Sequence, residues 1–159
     1  MSRTLQIILG TPANRKAVLA VMQDCFAGRG EIFTKAHETA VSQLLVDPSA
    51  GRIYLVEIRG QLAGLVSVAF QQSVLLANKL AVLELIFLKE DFRNRGLAQR
   101  ILRSVAGDLE AFGQPVVAAY LDPSDPFCRL FELEGFSEKA TICFMDCPPP
   151  DMDPDDTPF

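Results

Sequence analysis

Residues 80–102 read LAVLELIFLKEDFRNRGLAQRIL, and this stretch decides the fold. Leu80 to Leu88 is a nearly unbroken apolar run of strand length. A short basic turn containing Gly96 follows. Apolar residues then recur at Leu97, Ile101, Val105 and Leu109, with Leu102 and Phe112 beside them, which is helical spacing. A strand that feeds a basic, glycine-bearing turn at a helix start is suited to hold phosphate. The first amides of a helix have no intrahelical acceptor, and the helix dipole favours negative charge there. Five basic side chains (Lys89, Arg93, Arg95, Arg100, Arg103) crowd residues 89–103 against Glu90 and Asp91, focusing positive charge on the turn.

Outward from this centre the chain alternates short strands and helices. Leu5–Leu9 reads as an opening strand. Thr11 and Pro12 start a helix that carries Val18, Val21, Met22, Cys25 and Phe26 and stops at Gly28 and Gly30. A second helix begins near Thr34, buries Val41, Leu44 and Leu45, and closes at Asp47 and Pro48. Ile53–Ile58 and Ala63–Phe70 form a hairpin about Arg59 and Gly60, and a loop from Ser73 to Lys79 leads into the strand at 80–88. Gly113 and Pro115 stop the long helix. Val116–Leu121 is a strand, Asp125 caps a short helix carrying Phe127, Leu130 and Phe131, and Ala140–Met145 is a last strand. The order predicts a single α/β domain over residues 1–146, its central sheet mixed and mostly antiparallel, flanked by about four helices. Residues 147–159, rich in proline and aspartate, are expected to be a disordered tail.

Composition narrows the class. Nearly half of the 159 residues are hydrophobic, enough for a real core. No apolar run reaches the ~18 residues of a membrane span, and the N-terminus lacks a secretory pattern, so a cytoplasmic protein with no membrane partner is expected. Cys25, Cys128, Cys143 and Cys147 form no CxxC pair, and His37 is the single histidine. No metal site is expected, and the thiols read as free. The net charge of −5 belongs entirely to Asp146, Asp151, Asp153, Asp155 and Asp156, which leaves the body neutral. There is no GxxxxGK[ST] loop, no dinucleotide glycine triplet and no broad basic, aromatic-rich pattern, which argues against a nucleotide or nucleic-acid partner.

With Arg93, Gly96 and Ala98 at their spacing, the preceding strand, and Phe131-Glu-Leu-Glu-Gly135-Phe136 downstream, the chain resembles the GNAT superfamily of N-acetyltransferases over about residues 5–146. The resemblance implies acetyl-CoA as cofactor and transfer of acetyl to a primary amine by direct attack in a ternary complex. Arg93, Asn94, Arg95, Gly96, Leu97 and Ala98 would cradle the pyrophosphate, with a small residue at Ala98 allowing close approach. The main chain at Phe87 and Leu88 would pair with the pantetheine arm and supply the oxyanion donors, where the strands at 80–88 and 116–121 splay apart.

Glu84 is the only charge within 80–88. Strand alternation places it with Val82, Ile86 and Leu88 on one face, and the resemblance makes it the base that deprotonates the amine; otherwise it is a solvated or cation-paired rim carboxylate. At Phe131 the family commonly has a tyrosine that protonates the departing sulfur, which phenylalanine cannot do. Tyr120 and Cys128 are substitutes for which packing is the simpler role. The family's asparagine before this helix falls on Ser124, or on Asp125 with a one-residue gap. His37 reads as a partner for local backbone, in a region that the resemblance makes part of the acceptor site. The acceptor itself, a small-molecule amine or a peptide or protein amine, is shaped by residues 26–39, the 71–79 loop and the chain end. A homodimer follows from family habit alone. The alternative is a non-catalytic acyl-CoA-binding or sensing module that lost its chemistry at Phe131.

Overall fold

The computed structural model of the chain describes residues 5–113, 116–120 and 127–136. The predicted final strand at 140–145, the tail at 147–159, and Ser124 and Asp125 lie outside the described residues. Strand β1 (Leu5–Leu9) leads through a 3-10 turn at Pro12–Asn14 into α1 (Arg15–Gly28) and α2 (Lys35–Val46). Strands β2 (Gly51–Ile58), β3 (Gln61–Ser73) and β4 (Asn78–Leu88) follow, then α3 (Leu97–Ala111), β5 (Val116–Ala119) and α4 (Phe127–Leu133). The sheet order is β1-β2-β3-β4-β5, antiparallel as far as β4 and parallel between β4 and β5. This is the single α/β domain expected, a five-stranded mixed sheet with four helices.

Several strand boundaries extend beyond the sequence reading. The loop expected at 73–79 is a four-residue turn, Val74 to Ala77, because Gln71, Gln72 and Ser73 pair with Leu80, Lys79 and Asn78. Pairing through the backbone does not require apolar side chains, so the apolar run understates both strands. Strand β2 likewise starts at Gly51, opposite Ala69, two residues before Ile53.

The sheet is covered on both faces. On one, α3 presents Ile101, Leu102, Val105 and Leu109, each no more than 2% exposed, to Tyr54, Val56, Val66, Val68, Ala81 and Leu83. Each such burial stabilises by roughly 1.5–3 kcal/mol. On the other, Val18, Val21 and Met22 of α1 and Val41 and Leu45 of α2 pack on Ile53, Leu55 and Leu65.

The far end of α3 is anchored by a polar cluster inside the first of these cores. Arg52, 8% exposed, donates to Asp108 Oδ2 at 3.0 Å, and the Tyr54 hydroxyl donates to the same oxygen at 2.5 Å. Burial, together with the neighbouring carboxylate, pushes the Tyr54 phenol up to about 12. The Arg52 guanidinium stacks 3.7 Å from the Phe112 ring centroid and 5.8 Å from that of Phe70, and its Nε is buried without a hydrogen-bond partner. Such aromatic faces stabilise a desolvated cation electrostatically. Nearer the middle of α3, Gln99 and both nitrogens of the Arg103 fork donate to Glu134, which ties α4 to α3.

Candidate active site

The basic turn opens with a 3-10 segment at Glu90–Phe92 and reverses through two left-handed residues, Asn94 (φ 62°) and Gly96 (φ 67°), before α3 begins. Positive φ is strained for most side chains, which accounts for asparagine and glycine at these two points. Among the described residues, none of the amides from Asn94 to Ala98 donates to a backbone acceptor. Arg93 behaves differently: its amide donates to Glu90 O at 3.1 Å, its Nε to Leu88 O at 2.7 Å, and its guanidinium lies 5.6 Å from the Phe87 ring. Arg93 therefore folds the turn back onto the end of β4 and occupies the Leu88 carbonyl. Of the five basic residues counted from sequence, Arg103 is taken by Glu134, while Lys89, Arg95 and Arg100 form no ion pair among the described residues. Open amides, free cations and a helix N-terminus on one edge fit a pyrophosphate.

Beside the turn the sheet forks. Pairing of β4 with β5 runs from Leu80↔Val116 to Leu83↔Ala119 and ends with Tyr120 N–H on Leu83 O at 3.1 Å. Strand β4 continues to Leu88 with no strand paired on that side among the described residues; residues 121–126, where β5 is expected to splay from it, lie outside them. Its other edge stays bonded to β3, where Gly64 permits the contact: a Cβ there would sit 1.9 Å from Phe87 O.

Glu84 stands at the fork, and its placement corrects the sequence reading. Leu83 pairs with Val68 and Leu85 with Ser67, so Glu84 is the extra residue of a β-bulge. The bulge reverses the alternation. Ala81 and Leu83 before it, and Ile86 and Leu88 after it, all join the α3-side core, while Leu85 and Phe87 join the opposite one. Glu84 thus does not share a face with Ile86 and Leu88. It lines a pocket on the α1–α2 side with Leu85, Ser67 and Ile53. Glu84 is exposed on the strand, yet the surrounding protein partly desolvates its carboxyl and pushes it above its ordinary 4.5, with no contribution from a neighbouring charge among the described residues.

That pocket measures about 250 Å³. From the 26–39 segment it takes Phe26, Arg29, Glu31, Phe33 and His37, but nothing from 71–79, where Val74 and Leu75 point to solvent at 94% and 92% exposure; the chain end, also expected to shape an acceptor site, lies outside the described residues. His37 is both a local backbone partner and a wall of the pocket. Thr34 N–H donates to its Nδ1 at 3.0 Å, so the neutral ring carries its proton on Nε2. The ring stacks on Phe33 (5.5 Å) and meets Phe26 edge-on (4.7 Å). Met22, Val41 and Leu44 line the pocket unannounced by the sequence, because an apolar helical stripe facing a pocket is indistinguishable from one facing a core.

The remaining candidates divide. Phe131 is 2% exposed and meets Phe136 at 4.9 Å, so its ring is a core element. Tyr120 is 41% exposed at the fork. Cys25 is buried, and burial pushes its thiol up from 9.0. Among the described residues no cluster of His, Cys, Asp or Glu could hold a metal ion, and no helix is long and apolar enough to cross a membrane.

Solved structures share this architecture. An integron cassette protein from the Cole Harbour Salt Marsh metagenome superposes with a TM-score of 0.77 at 18% identity, over 91% of this chain and 92% of that one. A ribosomal-protein-alanine N-acetyltransferase from Brucella melitensis biovar Abortus 2308 gives 0.69 at 15% identity (90% and 99%). An aminoglycoside N-acetyltransferase in complex with CoA gives 0.73 at 15% identity (90% and 94%). No curated protein sequence matches the chain. The acetyltransferase (GNAT) family model matches residues 16–136, three-quarters of the chain and every part of the turn, fork and pocket, and the protein belongs to the GNAT acetyltransferase family.

Proposed function

We propose that the protein is an N-acetyltransferase that moves an acetyl group from acetyl-CoA to a primary amine. The observation that supports this reading is the bulge at Glu84, which leaves a carboxyl without a partner among the described residues where the described pairing of β4 with β5 ends, between the basic turn and the pocket. Asn94, Arg95, Gly96, Leu97 and Ala98 would hold the pyrophosphate through backbone amides, and Lys89, Arg95 and Arg100 would add charge. Arg93 shapes the turn. The main chain at Phe87 and Leu88 would face the pantetheine arm, with the Leu88 carbonyl already engaged. Bound acetyl-CoA would supply the activated acyl carbon: a C–N bond would form as the C–S bond breaks, the sulfur would leave with the electron pair, and the second proton of the amine would pass to the thiolate or to solvent.

Glu84 would take the proton of the incoming ammonium. A carboxyl raised by desolvation is a stronger base near neutrality than a solvated one. Phe131 cannot protonate the departing sulfur as the family's tyrosine would. A thiol of ordinary pKa ~8.5 leaves as thiolate with modest help, and Tyr120 is the exposed hydroxyl at the fork. The alternative, an acyl-CoA sensor without chemistry, rests on the burial of Phe131.

The test joins calorimetric titration of acetyl-CoA with thiol release in the presence of amines. Binding with release supports the transferase; binding without release for any amine supports the sensor. In a transferase, kcat/KM falls as pH drops through the Glu84 pKa, at a value above 4.5. Glu84→Gln removes that limb and lowers kcat by about 100-fold. The same substitution raises Tm only slightly, because Glu84 is exposed and solvent screens the burden of its charge. A carboxyl with a raised folded pKa favours the native state below its unfolded pKa and loses that contribution as pH rises, so at pH 7 its ionised form is a burden.

A further inference from the structure

We propose that the pocket selects compact, singly charged primary amines with an apolar body, the arylalkyl and branched-alkyl amines, over polyamino sugars and peptide chains. The inference rests on the transferase reading for its chemistry, but on the pocket alone for its selectivity.

Size comes first. At about 250 Å³ the pocket is smaller than the ~300–1,000 Å³ of sites that enclose drug-sized ligands. A molecule of several linked rings would project out of it. The walls come second. Phe26, Phe33 and His37 form a mutually packed group with centroids 4.7–5.5 Å apart, and the Thr34 bond to Nδ1 fixes the histidine ring. A pre-packed aromatic wall suits a flat or branched hydrocarbon, and its faces also attract one ammonium group.

Charge decides the rest. Glu84 is the single lining carboxylate without a cationic partner among the described residues. Glu31 is paired with Arg29 at 3.2 Å, both about half exposed. One ammonium group therefore finds an anion. Further ammonium groups find a carboxylate already neutralised and the repelling Arg29 guanidinium. A polycation binds well only where several carboxylates are free, and this wall has one.

The experiment compares 2-phenylethylamine, kanamycin A and a pentapeptide with a free N-terminus, using the whole chain. With acetyl-CoA present, kcat/KM for 2-phenylethylamine should exceed both others by about tenfold or more, and Phe33→Ala should raise its KM about tenfold with kcat within about twofold. Preference for kanamycin A or the pentapeptide overturns the proposal, as does an unchanged KM in Phe33→Ala. Phe26→Leu, which keeps bulk and removes the ring, provides a second variant with the same expectation. Saturation-transfer NMR of 2-phenylethylamine on the wild-type protein reads selectivity without turnover. Binding that is lost in Phe33→Ala, with no thiol release, upholds the pocket's selectivity and sinks the transferase reading. Absent amine binding beside intact acetyl-CoA binding sinks the selectivity alone.

Discussion

The two ends of α3 use charge in opposite ways. At its start, five successive residues offer amides that no backbone group accepts, and Lys89, Arg95 and Arg100 stand around them without ion pairs among the described residues. At its close, Arg52 lies buried against the rings of Phe112 and Phe70 and is paired with the partly exposed carboxylate of Asp108 and with the Tyr54 phenol. The start agrees with the helix dipole, which favours anions at the first turn; at the close the helix's own Asp108 opposes the dipole and is offset by Arg52 from β2. The difference is whether the complement comes from the protein or from outside. A terminus satisfied internally anchors the helix, and one left open recruits a ligand. Rigid anchoring of the closed end keeps the open end in place without obstructing it.

The largest effect should come from filling the open end. Ala98→Glu puts a carboxylate in the first turn, where the dipole tolerates it, so Tm should move little while acetyl-CoA affinity falls by about 100-fold. Gly96→Glu, by contrast, would confuse the result with strain at φ 67°. Calorimetry beside thermal unfolding reads both quantities. A large Tm loss with unchanged affinity would break the contrast.

Opening the closed end should do the reverse. Arg52→Met removes the cation but keeps its apolar stem, leaving Asp108 and Tyr54 to each other. Because Asp108 is 38% exposed, the loss should be about 2 kcal/mol, less than for a fully buried pair, and Tm should drop by about 4–8 °C. Acetyl-CoA affinity should stay within twofold. If affinity falls in step with Tm, the two ends are not separable.

The smallest effect is a pH response of the closed end. The Tyr54 pKa is raised in the folded protein to about 12 from 10, so its contribution is full below pH 10 and is lost as pH rises toward 12. Between pH 9 and pH 11 the urea midpoint of the wild type should fall more than that of Tyr54→Phe. Equal falls would mean that the phenol does not sense the enclosure.

This contrast was only half visible in the sequence. The open end was legible because its determinants are contiguous: Arg93, Asn94, Arg95, Gly96 and Ala98 follow a strand and begin a helix. The closed end was not, because Arg52 and Asp108 are 56 residues apart and each reads alone as an ordinary surface charge. Glu84 was singled out, but for a face it does not occupy. The bulge arises from the register against Ser67 and Val68, and an apolar run such as Ala81-Val82-Leu83 carries no alternation that could reveal it. The reach of β3 and β4 was understated because Gln71 and Gln72 pair through their backbones. Arg103 reads in sequence as one more cation for the ligand, yet its partner Glu134, in the turn just after α4, is brought beside it only by the fold.

The bulge has a further consequence when β4 is regarded as a wave of period two. Glu84 is a half-period slip: odd-numbered crests face α3 upstream of it, and even-numbered crests do so downstream. A strand with such a slip cannot slide against its neighbour, since a one-residue displacement would turn Leu83 or Ile86 out of the core. The position of the carboxylate is therefore set by phase, with no bond from its own oxygens. It can remain without a partner, and so remain basic, and still be held in place.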